Sequence, residues 1–126
     1  MSATSPGAPL TRQLLANVTA DETLSPWVDV RGYGNVSFYL TSVGTTSSGV
    51  VTLEECLGTG TAPNAPPLGE TTDGYSVITT VNASTFSGTK QVAVHCGPQV
   101  AFGFVRARIS TAIGGGGDVS VGLVAC

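Results

Sequence analysis

From Asn35 to Val43 the chain alternates well. Val36, Phe38 and Leu40 point one way, and Ser37, Tyr39 and Thr41 the other. A period of two belongs to a strand with one buried face; a helix would repeat its apolar positions every three or four residues. Val51 and Leu53 alternate with Thr52 and Glu54 in the same manner. Strands are expected over Arg12–Thr19, Trp27–Arg31, Asn35–Val43, Val51–Leu57, Tyr75–Val81, Gln91–Cys96, Phe102–Thr111 and Asp118–Ala125. Leu10 to Ala16 is the one helical candidate, and its strand-like neighbours argue against it. About eight short strands describe an all-β fold, a single antiparallel β-sandwich or jelly roll.

Composition supports this class. Charged residues make up 10% of the 126 and Gly contributes 17, where about 25% charge is usual for globular chains. Lys90 is the single lysine, a poor basis for helices. A hydrophobic fraction of 41% lies above the range of disordered chains. The length suits one domain. Residues 1–10, with Pro6 and Pro9 among small side chains, read as an extended arm, and 11–126 as the sandwich. Gly58 to Asp73, with Pro63, Pro66 and Pro67, is a long irregular loop of the kind that carries contacts. Gly114 to Gly117 reads as a hairpin turn between the last two strands.

Charge limits the partners. A net charge of −3 with five basic residues cannot neutralise a phosphate backbone, so nucleic acid is not expected. No apolar run approaches the roughly 18 residues of a membrane span. The first ten residues lack the basic and apolar regions of a secretory signal, so synthesis and assembly in a cytoplasm are expected. On that reading the sequons at Asn17, Asn35 and Asn82 are chance products of a Ser/Thr-rich composition.

No catalytic constellation emerges. His95 and Cys96 are neighbours on a strand and point to opposite faces, so they form no dyad with each other. Glu54 and Glu55 diverge for the same reason, one toward the core side and one toward solvent, and give no acid–base pair. Cys56, Cys96 and Cys126 with His95 lack the paired spacing of a zinc site, and Asp21-Glu22 or Glu70 with Asp73 lack a calcium loop. Gly32-Tyr33-Gly34 and Gly58-Thr59-Gly60 are turns, not nucleotide loops. No metal or cofactor is expected. Cys56 and Cys96 read as small buried side chains on what could be neighbouring strands, and Cys126 as a tail thiol or an intermolecular link. Phe38, Phe102 and Phe104 read as core, and Trp27 as a cap on one end of the sandwich. Arg106 and Arg108 project from one face of a strand, either to solvent or into a subunit contact.

The run from Trp27 to Tyr33, Asn35-Val36-Ser37-Phe38-Tyr39-Leu40, and Phe104 to Ser110 followed by a glycine turn and Asp118-Val119-Ser120-Val121 form a pattern. It resembles small β-sandwich structural proteins of tailed bacteriophages, most closely the capsid decoration (cement) type. The resemblance spans roughly Thr11 to Ala125 and implies a non-enzymatic virion protein bound to the major capsid protein on the outer head. A homotrimer at a symmetry axis is the favoured assembly. Candidate contacts are Pro6, Pro9 and Leu10 of the arm, Arg106 and Arg108, and Pro63, Pro66 and Pro67 of the loop. A tail or baseplate adaptor and a glycan-binding sandwich using Trp27, Tyr33, Tyr39 or Tyr75 are the alternatives.

Overall fold

The computed structural model describes residues 9–56, 75–88, 90–96 and 103–126. Pro6, Phe102 and the loop prolines Pro63, Pro66 and Pro67 lie outside them. Among the described residues there are eight strands: β1 (Leu10–Val18), β2 (Val28–Asp29), β3 (Val36–Val43), β4 (Ser48–Cys56), β5 (Tyr75–Asn82), β6 (Gln91–His95), β7 (Phe104–Gly114) and β8 (Asp118–Ala125). One turn of 3₁₀ helix, Ala83–Phe86, follows β5. The expected all-β class and strand count hold.

Two four-stranded antiparallel sheets carry the orders β1-β8-β3-β6 and β2-β7-β4-β5. The pairs β1–β8, β2–β7, β3–β6 and β4–β5 are nested, the first strand with the last and so inward. This is the double Greek key of a jelly roll, a long antiparallel ribbon rolled until its halves pack face to face. The roll buries alternate residues from both sheets. Val36, Phe38 and Leu40 of β3 and Val119, Val121 and Leu123 of β8 face Val51 and Leu53 of β4 and Val105, Ala107 and Ile109 of β7. Phe86, fully buried, plugs one end from the 3₁₀ turn. Hydroxyls hold that plug in place. Thr46 Oγ1 donates to the Ala83 carbonyl at 2.8 Å, and Ser42 Oγ to the Phe86 carbonyl at 2.5 Å.

Three local expectations change. Gly114 to Gly117 does not close a hairpin, because β7 and β8 belong to opposite sheets. The glycines turn a corner from one layer to the other beside the β3–β4 corner. There Ser47 N–H donates to the Gly114 carbonyl at 2.8 Å and Gly117 N–H to the Thr45 carbonyl at 2.7 Å. The strand expected over Trp27–Arg31 shrinks to two residues, since Asp29 Oδ1 accepts the Arg31 N–H at 3.0 Å and turns the chain. Finally, Cys56 and Cys96 are not on neighbouring strands. β4 and β6 lie in different sheets.

Candidate interaction surfaces

The outer face of the second sheet is where the chain concentrates its charge. The β4–β7 register sets Glu54 opposite Arg106 and Thr52 opposite Arg108, so one carboxylate has an arginine beside it and another on the diagonal. Arg106 Nε donates to Glu54 Oε1 at 2.6 Å and Arg108 Nε to Glu54 Oε2 at 2.9 Å. Arg108 Nη1 reaches Glu22 Oε2 at 3.0 Å. Trp27 lies under the buried Arg106 guanidinium, 4.3 Å from ring centroid to Cζ, a cation–π contact. The side chains of Arg106 and Glu54 are 1% and 0% exposed, and that of Arg108 is 19% exposed.

The cover over this face comes in part from residues 19–30. Ser25 N–H donates to the Ala107 carbonyl and Ile109 N–H to the Thr23 carbonyl, both at 2.9 Å, and Leu24 bridges to Arg108. The segment runs along the side of β7 away from β4. Trp27 therefore covers a sheet face and does not cap an end of the sandwich. Phe104 belongs to the same outer layer, with the Arg31 guanidinium 5.3 Å from its ring centroid, outside the inter-sheet core. Arg106 and Arg108 do share one face, as the alternation requires. What they meet there is the chain's own Glu54 and Glu22.

The outer face of the first sheet is the opposite case. Ser37, Tyr39, Thr41 and Val43 of β3 alternate with buried neighbours, as do Ser120, Gly122 and Val124 of β8, and Gln91, Ala93 and His95 flank them on β6. Asp118, at the margin, is the one carboxylate on this face of the two central strands. Val43 is 65% exposed. His95 Nδ1 is hydrogen-bonded to Ser37 Oγ at 2.8 Å, and its ring meets Tyr39 edge-on at 6.3 Å. Cys96 packs against the core on the reverse side, so the neighbours diverge as expected.

The other candidates disperse. Leu10, assigned to the arm by the sequence, begins β1 opposite Ala125, and Pro9 just before it is exposed. Glu70 and Asp73 lie outside the described residues. Among those described, no three His, Cys, Asp or Glu side chains converge as a metal site would need. Glu55 diverges from Glu54, and burial pushes its carboxyl up from the ordinary value. Burial also raises the Cys96 thiol, with the Glu55 charge adding to it.

Two expectations follow from these shifts and exposures. A carboxyl with a raised folded-state pKa lowers stability at neutral pH, and that loss vanishes once the group is protonated in both states. Glu55→Gln is therefore expected to melt higher than the parent at about pH 7 and level with it near pH 4, read by thermal melts. Among the thiols, Cys126 is exposed, Cys96 partly buried and Cys56 buried. Native protein titrated with a thiol-exchange reagent should show one fast thiol, lost in Cys126→Ser, and three after unfolding.

No family model and no curated protein matches the sequence. Solved structures do match. The K1 cleaved adhesin domain of Lys-gingipain from Porphyromonas gingivalis superposes with a TM-score of 0.50 at 11% identity, covering 94% of this chain and 73% of that one. The SPBc2 prophage-derived protein YomS gives 0.49 at 11% identity over 94% and 92% of the two chains. The Triatoma virus empty capsid gives 0.49 at 12% identity over 94% and 86%. At 11% identity the likeness to the adhesin domain is one of fold alone.

Sequence reasoning found the arginine pair and missed its partner. In sequence Glu54 stands beside Glu55, but its partners lie across the sheet. In a chain with so little charge, a carboxylate and two arginines on strands that can pair are the natural neighbours. The Ser37–His95 contact was missed because it depends on the β3–β6 register, which nothing local encodes.

Proposed function

We infer that the chain is a non-enzymatic virion structural protein that binds the outer surface of a capsid through the outer face of its β1-β8-β3-β6 sheet. The observation that carries this reading is the division of charge between the two faces. The second sheet pairs its ions with one another around the buried Glu54 and Arg106, while the first presents a broad surface of Ser, Thr, Gly, Ala, Val and Tyr. The cores of protein interfaces are depleted in charge, because every ion buried on association must be desolvated. A flat sheet face of small side chains suits a repetitive protein shell better than it suits a small ligand, which calls for a concave site. Architecture alone does not decide among jelly rolls. The resemblance of the Trp27–Leu40 and Phe104–Val121 runs to phage decoration proteins supplies the capsid as partner. The arm around Pro6 and Pro9 gives a second contact, by strand addition to a neighbour.

The test is quantitative mass spectrometry of purified virions, scaled to the major capsid protein. Copy number comparable to the capsid protein supports decoration. A small fixed number moves the protein to the tail, and absence overturns the reading. Thr41→Glu and Val124→Glu each place a charge on the proposed face. Both are expected to lower particle occupancy at least about tenfold, a loss of roughly 1.4 kcal/mol, without changing the melting temperature. Normal occupancy in both variants would remove this face from the contact.

A further inference from the structure

We propose that β6 is a self-association edge, pairing antiparallel with β6 of a second copy about a two-fold axis through Ala93. The inference rests on the edges of the two sheets and is independent of the proposed function.

An open strand edge invites pairing, and proteins usually blunt it with bulges, charges, proline or a covering segment. Three of the four edges here are blunted. β1 carries two register breaks against β8, an exposed Arg12, and Asn17 at φ 53°. β2 is two residues long, and the segment before it carries Asp21, Glu22 and Pro26. β5 is bulged at Ile78, where its register with β4 skips a residue. β6 differs. Its five residues pair with β3 in unbroken register, none of them is acidic or basic except His95, and among the described residues no strand pairs with its outer side.

The backbone phase of this edge is fixed. Cys96 N–H donates to the Val36 carbonyl at 2.8 Å. In an antiparallel ladder successive residues turn their N–H and C=O to opposite sides. Cys96, Val94 and Val92 therefore face β3, while Gln91, Ala93 and His95 turn their backbone groups outward. Each of those three side chains is exposed.

The edge sequence Gln91-Val92-Ala93-Val94-His95 is self-complementary about its centre. A two-fold at Ala93 sets Ala93 opposite Ala93, Val92 opposite Val94 and Gln91 opposite His95. The outward groups then form six backbone hydrogen bonds, two at each facing pair of Gln91, Ala93 and His95. The valines, partly buried against the core in one copy, meet their counterparts on the inner side. On the outer side a Gln carboxamide lies beside an imidazole. Lys90 comes opposite Cys96, and the two Lys90 ammonium groups stand about 20 Å apart along the ladder, so no like charges oppose. The product is one continuous eight-stranded sheet whose two charge-poor outer faces lie side by side.

The experiment is sedimentation equilibrium on the purified chain and on Ala93→Pro and Ala93→Lys. Proline at 93 removes an outward N–H while sparing the β3–β6 ladder, a position where edge strands tolerate it. Loss of the two central hydrogen bonds predicts a roughly thirtyfold weaker dimer. Ala93→Lys sets two ammonium groups face to face on an exposed position, and keeps the test valid if the proline variant does not fold. The parent is expected at twice the chain mass, with Gln91, Ala93 and His95 amides protected from hydrogen exchange, and both variants are expected to dissociate with unchanged melting of the monomer. A parent that stays monomeric, a trimer, or a dimer indifferent to Ala93→Lys overturns the proposal.

Discussion

Glu54→Ala is expected to destabilise the fold by about 3–5 kcal/mol, the usual cost of removing one side of a buried ion pair. For a domain of this size that is a fall in melting temperature of about 10–20 °C. The magnitude follows from the geometry. One carboxylate with 0% exposure accepts from two guanidinium groups, and the Arg106 side chain is itself 1% exposed. Alanine leaves both positive charges in place, strips them of the acceptor they share, and opens a void. Glu54→Gln should sit between alanine and the parent, since the amide keeps one oxygen acceptor but no charge. Glu22→Ala should cost less than about 1 kcal/mol, because its carboxylate is 64% exposed and screened by water.

The pair is not the same as its parts. Desolvating two charges offsets most of their attraction, so replacing both with apolar side chains of similar volume is often neutral. The double variant Glu54→Leu/Arg106→Met is accordingly expected to recover more than half of the stability that Glu54→Ala loses. A double-mutant cycle by chemical denaturation measures the coupling. A double variant as unstable as the sum of the singles would mean that the cluster stabilises the fold outright. Recovery would mean that its role is placement, holding residues 19–27 along β7 with Trp27 over Arg106 and keeping charge off the opposite face.

How much of this was legible in the sequence depends on how far apart the partners lie. β3 and β8 alternate cleanly, and Val36, Phe38, Leu40, Val119 and Val121 are buried where the period of two puts them. Such a pattern is local and survives any topology. The same rule puts Arg106 and Arg108 on one face of β7 but leaves open whether solvent or a partner lies over it, and it reads Phe104 as core. Thr52, Glu54, Phe104 and Arg106 are buried although they lie on the outer face of their sheet, with Trp27 over Arg106. Alternation records which residues share a face, not what lies over that face. The Phe86 plug was missed for a related reason. A four-residue 3₁₀ turn carries no periodicity, and its hold on the core comes from Ser42 and Thr46, some forty residues away in sequence. Gly114–Gly117 was legible as a turn, but only long-range pairing with β1 and β3 decides that β8 leaves the sheet of β7.

That corner yields a graded expectation from four adjacent glycines. A Cβ on Gly117 would lie 2.6 Å from the Thr45 carbonyl oxygen and 2.8 Å from the Gly44 carbonyl carbon. These are backbone atoms of the neighbouring corner and cannot rotate away. A Cβ on Gly115 would meet Ser47 N at 2.7 Å and Thr45 O at 2.9 Å, and its φ of +108° adds strain for any L residue. Gly116, at φ +95°, has nothing within 4 Å of such a Cβ, so only the backbone term applies. On Gly114 the clash is with the side chain of Ser48, whose hydroxyl can turn to another rotamer. Alanine substitutions should therefore cost least at Gly114, about 1–2 kcal/mol at Gly116, and about 3 kcal/mol or more at Gly115 and Gly117, where the two corners must separate. The hydrogen bonds from Gly117 to Thr45 and from Ser47 to Gly114 bind the corners together, so separating them also loosens the β3–β4 connection. Urea denaturation of the four variants reads the order directly. Equal costs at Gly116 and Gly117 would mean that turn flexibility, not the close approach of two backbones, is what these glycines provide.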